Sequence, residues 1–369
     1  MKLLASYNLT EARKDNTVSP VELWRIKRPI EQLIKNTDWN IKESVGIFPE
    51  AKNAKNVTEL EMQKRIDYFS KYDLVWGSYY TNPFIHTFTM IAQEKIKTKF
   101  IVDIDDNVFK IDPLNPIHIN VEKKYLDFLK GIAVDAKYVT TTTDKLADIL
   151  REQRYYRDPE SVVVIPNLIS TDVYKPGEYD NKDKIVIGYA GGASHYGDLH
   201  KTGLYDALNK IMHEYKNVYV KSVGMFFNKY LPKARYEFIP GERAADAWYK
   251  LYSKLDFDIA FAPIEDTPFT QSKSNIKWQE YSLMGIPTIA SNVGPYKDTI
   301  KHGTDGYLVE NSYDDWYKAL KLFVENTMLR KKIGNNAKER VIKDYSLENN
   351  WKKVEQGLEK INNLSIDKK

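Results

Sequence analysis

The chain has 369 residues, no cysteine, 42% hydrophobic residues and 55 basic against 51 acidic side chains, a net charge of +4. The missing cysteines exclude disulfides, thiolate metal sites and a cysteine nucleophile, and the near balance of charge gives no reason to expect a nucleic-acid protein. No apolar run reaches the roughly 18 residues of a membrane span, and a chain this long predicts two domains of about 150 to 180 residues rather than one core. The opening, MKLLASYNL, lacks the apolar stretch and cleavage site of a signal peptide, so a cytoplasmic protein is expected. The 26 tyrosines offer ring faces that stack on sugars or bases.

In chain order, Lys2 to Ser6 predicts a strand, followed by a glycine-free loop to Pro20. Pro20 to Lys35 predicts a helix with Val21, Leu23, Trp24, Ile30, Leu33 and Ile34 on one buried side. Ala51 to Leu60 is polar and reads as a surface loop, and Asp73 to Trp76 as a buried strand. Lys99 to Ile104 is a strand that delivers Asp103, Asp105 and Asp106 at its carboxyl end, where parallel sheets keep their chemistry. Carboxylates so crowded repel unless a cation or a proton is shared, which points to a site; the alternative is one capping aspartate and one paired with a lysine. Val121 to Ala133 predicts a helix, Lys137 to Thr141 a strand, and Lys145 to Glu152 a helix capped by Thr143 or Asp144. After the strand Val162 to Ile165, the polar stretch Asn167 to Asp183 is the expected domain boundary.

The strand-helix pattern then restarts at Lys184 to Tyr189, with Gly191 and Gly192 following so that backbone can approach a phosphate. His195, Asp198 and Lys201 stand in the same loop, and His195 is either a donor to a phosphate or sugar oxygen or a satisfied surface residue. Strands follow at Asn217 to Val223, Tyr236 to Ile239 and Phe257 to Pro263, with Arg243 either flanking a base or phosphate or solvated. The chain is organised around TQSKSNIKWQEYSLMGIPTIASNVGP, Thr270 to Pro295. Ser272 or Ser274 can cap a helix there, with Ile276, Leu283 and Met284 buried; Gly285 and Pro287 stop it, and Ile286 to Ala290 is a strand. Helix, tight turn and strand is the unit of a doubly wound parallel sheet, so the start of this helix should meet a crevice and form an anion site with Ser272, Lys273 and Ser274. Glu280 lies two turns beyond Lys273 at a similar helical angle. The bland alternative is an ordinary amphipathic helix. Two long amphipathic helices, Tyr313 to Lys343 and Leu347 to Ile361, close the chain.

The run QEYSLMGIPTIAS resembles the E-A-M-A-x-G-x-P-V-I-A-S segment of family 4 glycosyltransferases with the GT-B fold, matching at Glu280, Gly285, Pro287 and Ser291. AKYVTTTTDKLADILRE, VVVIPNLISTDVY and HGTDGYLVE are similar to further segments of that superfamily. The family's earlier glutamate is replaced by Ser272, which directly precedes a K-S-N-x-K-x-x-E-Y variant that begins with Lys273, Ser274 and Asn275. The resemblance implies an α/β fold of two Rossmann-like domains facing a cleft: an acceptor domain, 1–167, a nucleotide-sugar domain, 168–345, and a final helix, 346–369, packing back on the first. It implies that Glu280 holds the ribose, that Gly191, Gly192, Arg243, Ser272, Lys273, Ser274 and Asn275 surround the nucleotide, and that Asp105, Asp106 and His195 meet the sugar or acceptor. The implied activity is transfer of a sugar from a UDP- or GDP-sugar, UDP first, to a hydroxyl, with retention, no metal and no tightly bound cofactor. Acceptors in view are a glycan, a lipid-linked sugar, a protein or hydroxymethylated DNA, with peripheral membrane contact compatible. Two alternatives stand beside it: a metal-dependent transferase of the other large fold, using Asp103 and Asp105 as its D-x-D pair, and a non-catalytic nucleotide-sugar-binding protein.

Overall fold

The computed structural model describes residues 1–7, 20–45, 58–78, 83–111, 123–172, 183–192, 196–228, 230–242 and 245–365. The chain divides into two compact units: Met1–Phe109, Glu122–Asn167 and Asn350–Lys369 form the first, and Leu168–Asn349 makes up nearly all of the second.

The first unit is a six-stranded sheet of β1 (Lys2–Tyr7), β2 (Asn40–Val45), β3 (Leu74–Ser78), β4 (Lys99–Ile104), β5 (Tyr138–Thr141) and β6 (Val162–Val164), in the order β2-β1-β3-β4-β5-β6. Every pairing is parallel. Leu4, Val75, Phe100, Val102 and Val139 bury their side chains against Phe69, Phe88, Leu129 and Leu146 from the helices. Central parallel strands covered on both faces read as unbroken apolar runs, which is why β3 and β4 stand out in the sequence. The edge strand β2, NIKESV, is polar and half-exposed and carries no such signature. Helices Glu59–Phe69 and Pro83–Lys95 were likewise not predicted; the first begins inside the expected loop at 51–60, of which 51–57 lie outside the described residues.

The stretch from Pro20 to Asn36 is helical, but Leu23–Lys27 forms a π-helical turn. The wider turn shifts the helical face. Val21 and Ile34, read as core, are 45% and 49% exposed, while Arg25 is buried. The final helix, Lys352–Asn363, belongs to this unit: Gly357 passes so close to β6 that a Cβ would stand 2.6 Å from the Ile165 side chain. Lys99 Nζ donates to the Leu364 carbonyl at 2.7 Å, and Lys360 pairs with Glu160. Ser346 still bridges to Ile169 of the second unit, and the return begins at Asn350.

The second unit holds β7 (Ile185–Ala190), β8 (Val218–Val223), β9 (Tyr236–Ile239), β10 (Ile259–Ala262), β11 (Thr288–Ser291) and β12 (Tyr307–Val309) in the order β12-β11-β10-β7-β8-β9, again wholly parallel. The strand order reverses between β7 and β10. At such a switch point the loops leaving two neighbouring strands part in opposite directions and leave a crevice at the carboxyl ends. Ile187, Leu208, Ile211, Val220, Phe261, Trp316 and Phe323 form the core beneath. The predicted helix from Tyr313 to Lys343 is two helices, Tyr313–Glu325 and Thr327–Asp344, because the Asn326 side chain accepts from Leu329 N and starts the second. Among the described residues no helix is long and apolar enough to cross a membrane.

Candidate functional site

The central helix spans Ile276–Leu283, between β10 and β11, and Lys277 to Leu283 are all buried. It is therefore a helix enclosed on every side rather than an amphipathic one. Gly285, at φ +74°, ends it and Pro287 follows, as Gly and Pro at these positions predict. Trp278 Nε1 donates to the Asp305 carbonyl at 2.8 Å, and Arg340 lies over its indole ring. Gly334 lets the helix Thr327–Asp344 reach the turn, since a Cβ there would stand 2.1 Å from the Gly285 carbonyl oxygen.

The start of this helix differs from the sequence expectation. Neither Ser272 nor Ser274 caps it: Asn275 is the N-cap residue and makes no side-chain cap bond. Ser272 is buried and donates back to the Phe269 carbonyl at 2.9 Å, closing the short helix Pro268–Gln271. Asn275 Nδ2 donates to Thr299 Oγ1 and its Oδ1 accepts from Gln279 Nε2. Lys273 precedes the helix, with its ammonium 4.4 Å from the Phe269 ring centre, so it shares no helical face with Glu280. The lysine that does is Lys277, one turn before Glu280.

Lys277, Glu280 and Tyr281 converge on the end of β7. Lys277 Nζ donates to the Ala190 carbonyl at 2.8 Å, and the Tyr281 hydroxyl accepts from Ala190 N at 2.9 Å. Tyr252, from the helix Ala245–Tyr252, donates to Glu280 Oε2 at 2.9 Å. Burial pushes the Lys277 amine down to about 8 against the pull of Glu280 and Asp198, with Lys273 adding to the fall. Burial raises the phenols of Tyr189, Tyr252 and Tyr281 well above their ordinary range. Gly191 follows directly, and a Cβ on it would stand 2.3 Å from Lys277 Nζ and 2.6 Å from the Tyr189 hydroxyl. Gly224, at φ +83°, and Gly241 continue the pattern at the ends of β8 and β9: a Cβ on Gly224 would meet the Gly191 carbonyl at 2.6 Å, and one on Gly241 the Gly224 Cα at 2.8 Å. Three strand ends thus present bare backbone to the same corner. Gly192 is exposed and has open space where a Cβ would lie.

Asp198 and Lys201, expected in the loop after β7, lie in the helix Tyr196–Lys201; Asp198 Oδ1 accepts from Glu265 N and Lys201 pairs with Glu265 at 2.9 Å, so the two hold the loop after β10 against this helix. Ser291 acts similarly: its hydroxyl accepts from Ile264 N and donates to Asn311. His195 and Arg243 lie outside the described residues.

In the first unit the acidic cluster separates into two kinds. Asp103 is buried, with Arg25 donating to both its oxygens at 2.7 and 2.9 Å and Thr140 adding 2.7 Å. Arg25 also donates to the Ile165 carbonyl at 2.6 Å. The repulsion noted in the sequence is thus relieved by a cation that the π-helical turn carries inward. Both Asp103 oxygens are engaged by Arg25 in the interior, which is not the open pair with Asp105 that the D-x-D alternative expects. Asp105 and Asp106 are half-buried just past the end of β4, with the Asp105 carbonyl accepting from Thr142 at 3.4 Å. Among the described residues no group of three His, Asp or Glu side chains is placed to hold a metal.

Two parallel six-stranded sheets with helices define the fold class, and it is that of GT-B glycosyltransferases. Residues 275–340 match the family model described as glycosyl transferases group 1. The chain is similar to the crystal structure of HepE from Anabaena in complex with UDP and glucose, with a TM-score of 0.64 at 15% identity over 97% of this chain and 99% of that one. HepE in complex with UDP-glucose gives 0.64 at 16% identity over 99% and 100%. Sucrose-phosphate synthase from Thermosynechococcus elongatus gives 0.62 at 13% identity over 98% and 99%. No curated protein sequence matches this chain.

Proposed function

We propose that this protein is a glycosyltransferase that moves a sugar from a nucleotide-diphosphate donor, a UDP-sugar in the first instance, to a hydroxyl acceptor. The observation that carries the reading is the corner at the β7/β10 switch point, where three glycine strand ends, the start of the central helix and Glu280 come together. In this reading the diphosphate lies against the backbone of Gly191 and Gly192 and the N–H groups that open the helix, with Lys273, Ser274 and Asn275 beside it. Glu280, oriented by Tyr252, takes the ribose hydroxyls. As the glycosidic bond breaks, negative charge gathers on the leaving diphosphate, and fixed dipoles with a lysine stabilise it without requiring a metal. Asp105 and Asp106 are assigned to the acceptor side, where a carboxylate orients a hydroxyl or accepts its proton. Retention of configuration and a cytoplasmic location complete the proposal. HepE, with its UDP-glucose complex, makes UDP-glucose the first donor to try.

One observation favours a non-catalytic alternative: the position of the family's earlier glutamate holds Ser272, whose hydroxyl is engaged by Phe269. The test is a panel of UDP- and GDP-sugars screened for thermal stabilisation, followed by assay of nucleotide release. A bound donor raises the melting temperature by mass action, by an amount that grows with its concentration over Kd. Stabilisation by one donor with release of its nucleotide supports the transferase. Stabilisation without release selects the binding protein, and no shift with any donor contradicts both.

A further inference from the structure

The Ala190 peptide is held from both sides by one face of the central helix. Tyr281 accepts from its N–H and Lys277 donates to its carbonyl, while Tyr252 ties Glu280 of the same face to a neighbouring helix. Ala190 is also the residue from which the Gly191–Gly192 turn departs. Of these contacts only the lysine one depends on a charge that changes near neutral pH.

We propose that Lys277 is a proton-dependent latch on this turn: as an ammonium it holds Ala190 by a charge-assisted bond and lends its charge to the donor's diphosphate, and as a free amine it keeps only a weaker bond and lends no charge. The inference rests on the donor-binding reading above and adds to it a positioning role for the second lysine of the K-S-N-x-K-x-x-E-Y variant. A neutral amine keeps two N–H donors, but it loses the charge-assisted part of its bond to the carbonyl and all attraction for an anion. Beside it the Tyr189 hydroxyl, wholly buried, has no hydrogen-bond partner among the described residues, so the ammonium has a second polar neighbour when a ligand draws on it. Burial brings the amine to about 8, and an arriving dianion favours its charged form.

The groups that face Lys277 are Glu280 and Tyr281 on its own helix, Lys273 before it, Asp198 from the helix Tyr196–Lys201, Tyr252 from the helix Ala245–Tyr252 and Tyr189 from β7. The three phenols are pushed well above 10 and stay neutral throughout the window of interest. Protons taken up on binding near pH 8 therefore go to the lysine. The sign follows: the ligand-free amine is half neutral at about 8, so affinity for an anion is full below that pH and falls above it.

Calorimetric titration of the intact protein with UDP, in two buffers of different ionisation enthalpy, tests this. Wild-type Kd should weaken by about tenfold between pH 7 and pH 9, with proton uptake on binding rising through half a proton near 8. Lys277→Met should bind weakly with no pH slope, and Lys277→Arg, charged throughout, should bind without the slope. A wild-type Kd that is flat over this range, or a slope that survives in Lys277→Met, overturns the latch. Should the wild type bind no UDP at any pH, the donor reading fails, and the latch is judged on the ligand-free protein. There the Gly191 amide resonance should shift with a midpoint near 8 in the wild type only. A Gly191 resonance that does not move, or moves alike in Lys277→Met, overturns it as well.

Discussion

At the scale of single residues, the central helix shows how a charge can be misread. A lysine within a helix ordinarily projects to water along its apolar stem, so Lys277 draws no attention next to Lys273 and Glu280. The signal that could have found it is spacing: positions 277, 280 and 281 are i, i+3 and i+4, one face of a helix whose other faces carry Trp278, Leu283 and Met284. A polar face on a helix that also has apolar faces all round has nowhere to go but a buried network. Ser272 is the opposite case: a serine just before a helical run predicts a cap on the central helix, and its hydroxyl instead finishes the helix before it. For Glu280, substitution by Gln keeps the shape and the Tyr252 contact but removes the charge. Hydrogen bonds to an ionised group are worth about 1.5 to 3 kcal/mol, so UDP affinity should fall by roughly tenfold or more while the ligand-free melting temperature moves little. Titration calorimetry and a melt on the same preparation check this, and unchanged UDP affinity would remove Glu280 from the site.

At the scale of elements, what was legible followed local chemistry that leaves one choice. Gly285 and Pro287 can only end a helix, Thr143 before an apolar-periodic run caps one, and Tyr236 to Ile239 forms the strand its pattern predicts. What was not legible depended on partners distant in sequence. The π-helical turn at Leu23–Lys27 exists alongside a buried Arg25–Asp103 pair, and an isolated run of residues 20–36 gives no sign of Asp103. The contact between Gly334 and the turn at Gly285 is of the same kind and yields a prediction. Gly334→Ala places a Cβ 2.1 Å from the Gly285 carbonyl, so the helix must back away from the turn that ends the central helix. Overpacking of this kind costs about 1 to 3 kcal/mol. Gly192→Ala, at an ordinary φ with open space around it, should leave stability unchanged. Denaturant melts of the two variants against the parent chain check the contrast, and equal effects would contradict this account of how the central helix is seated.

At the scale of the whole molecule, the α/β class and its parallel sheets were readable because strand and helix patterns alternate in both halves of the sequence. The second half was read more closely than the first, for a physical reason: β7, β10 and β11 are central, mostly buried strands, whereas β2 is a polar edge strand and the helix Glu59–Phe69 buries only Ile66 and Phe69. The site followed the same gradient. The helix-turn-strand unit predicts a crevice at the start of the central helix, whereas the β7/β10 switch point and the closeness of Gly191, Gly224 and Gly241 required the folded sheet. The central claim is that this corner receives the diphosphate of a nucleotide-sugar, and the most direct measurement is a crystal structure of the protein with UDP. The account predicts diphosphate oxygens within hydrogen-bond reach of the backbone N–H groups at Gly191–Gly192 and at the start of the central helix, with the ribose on Glu280. UDP seated at any other place, with this corner closed, would contradict it.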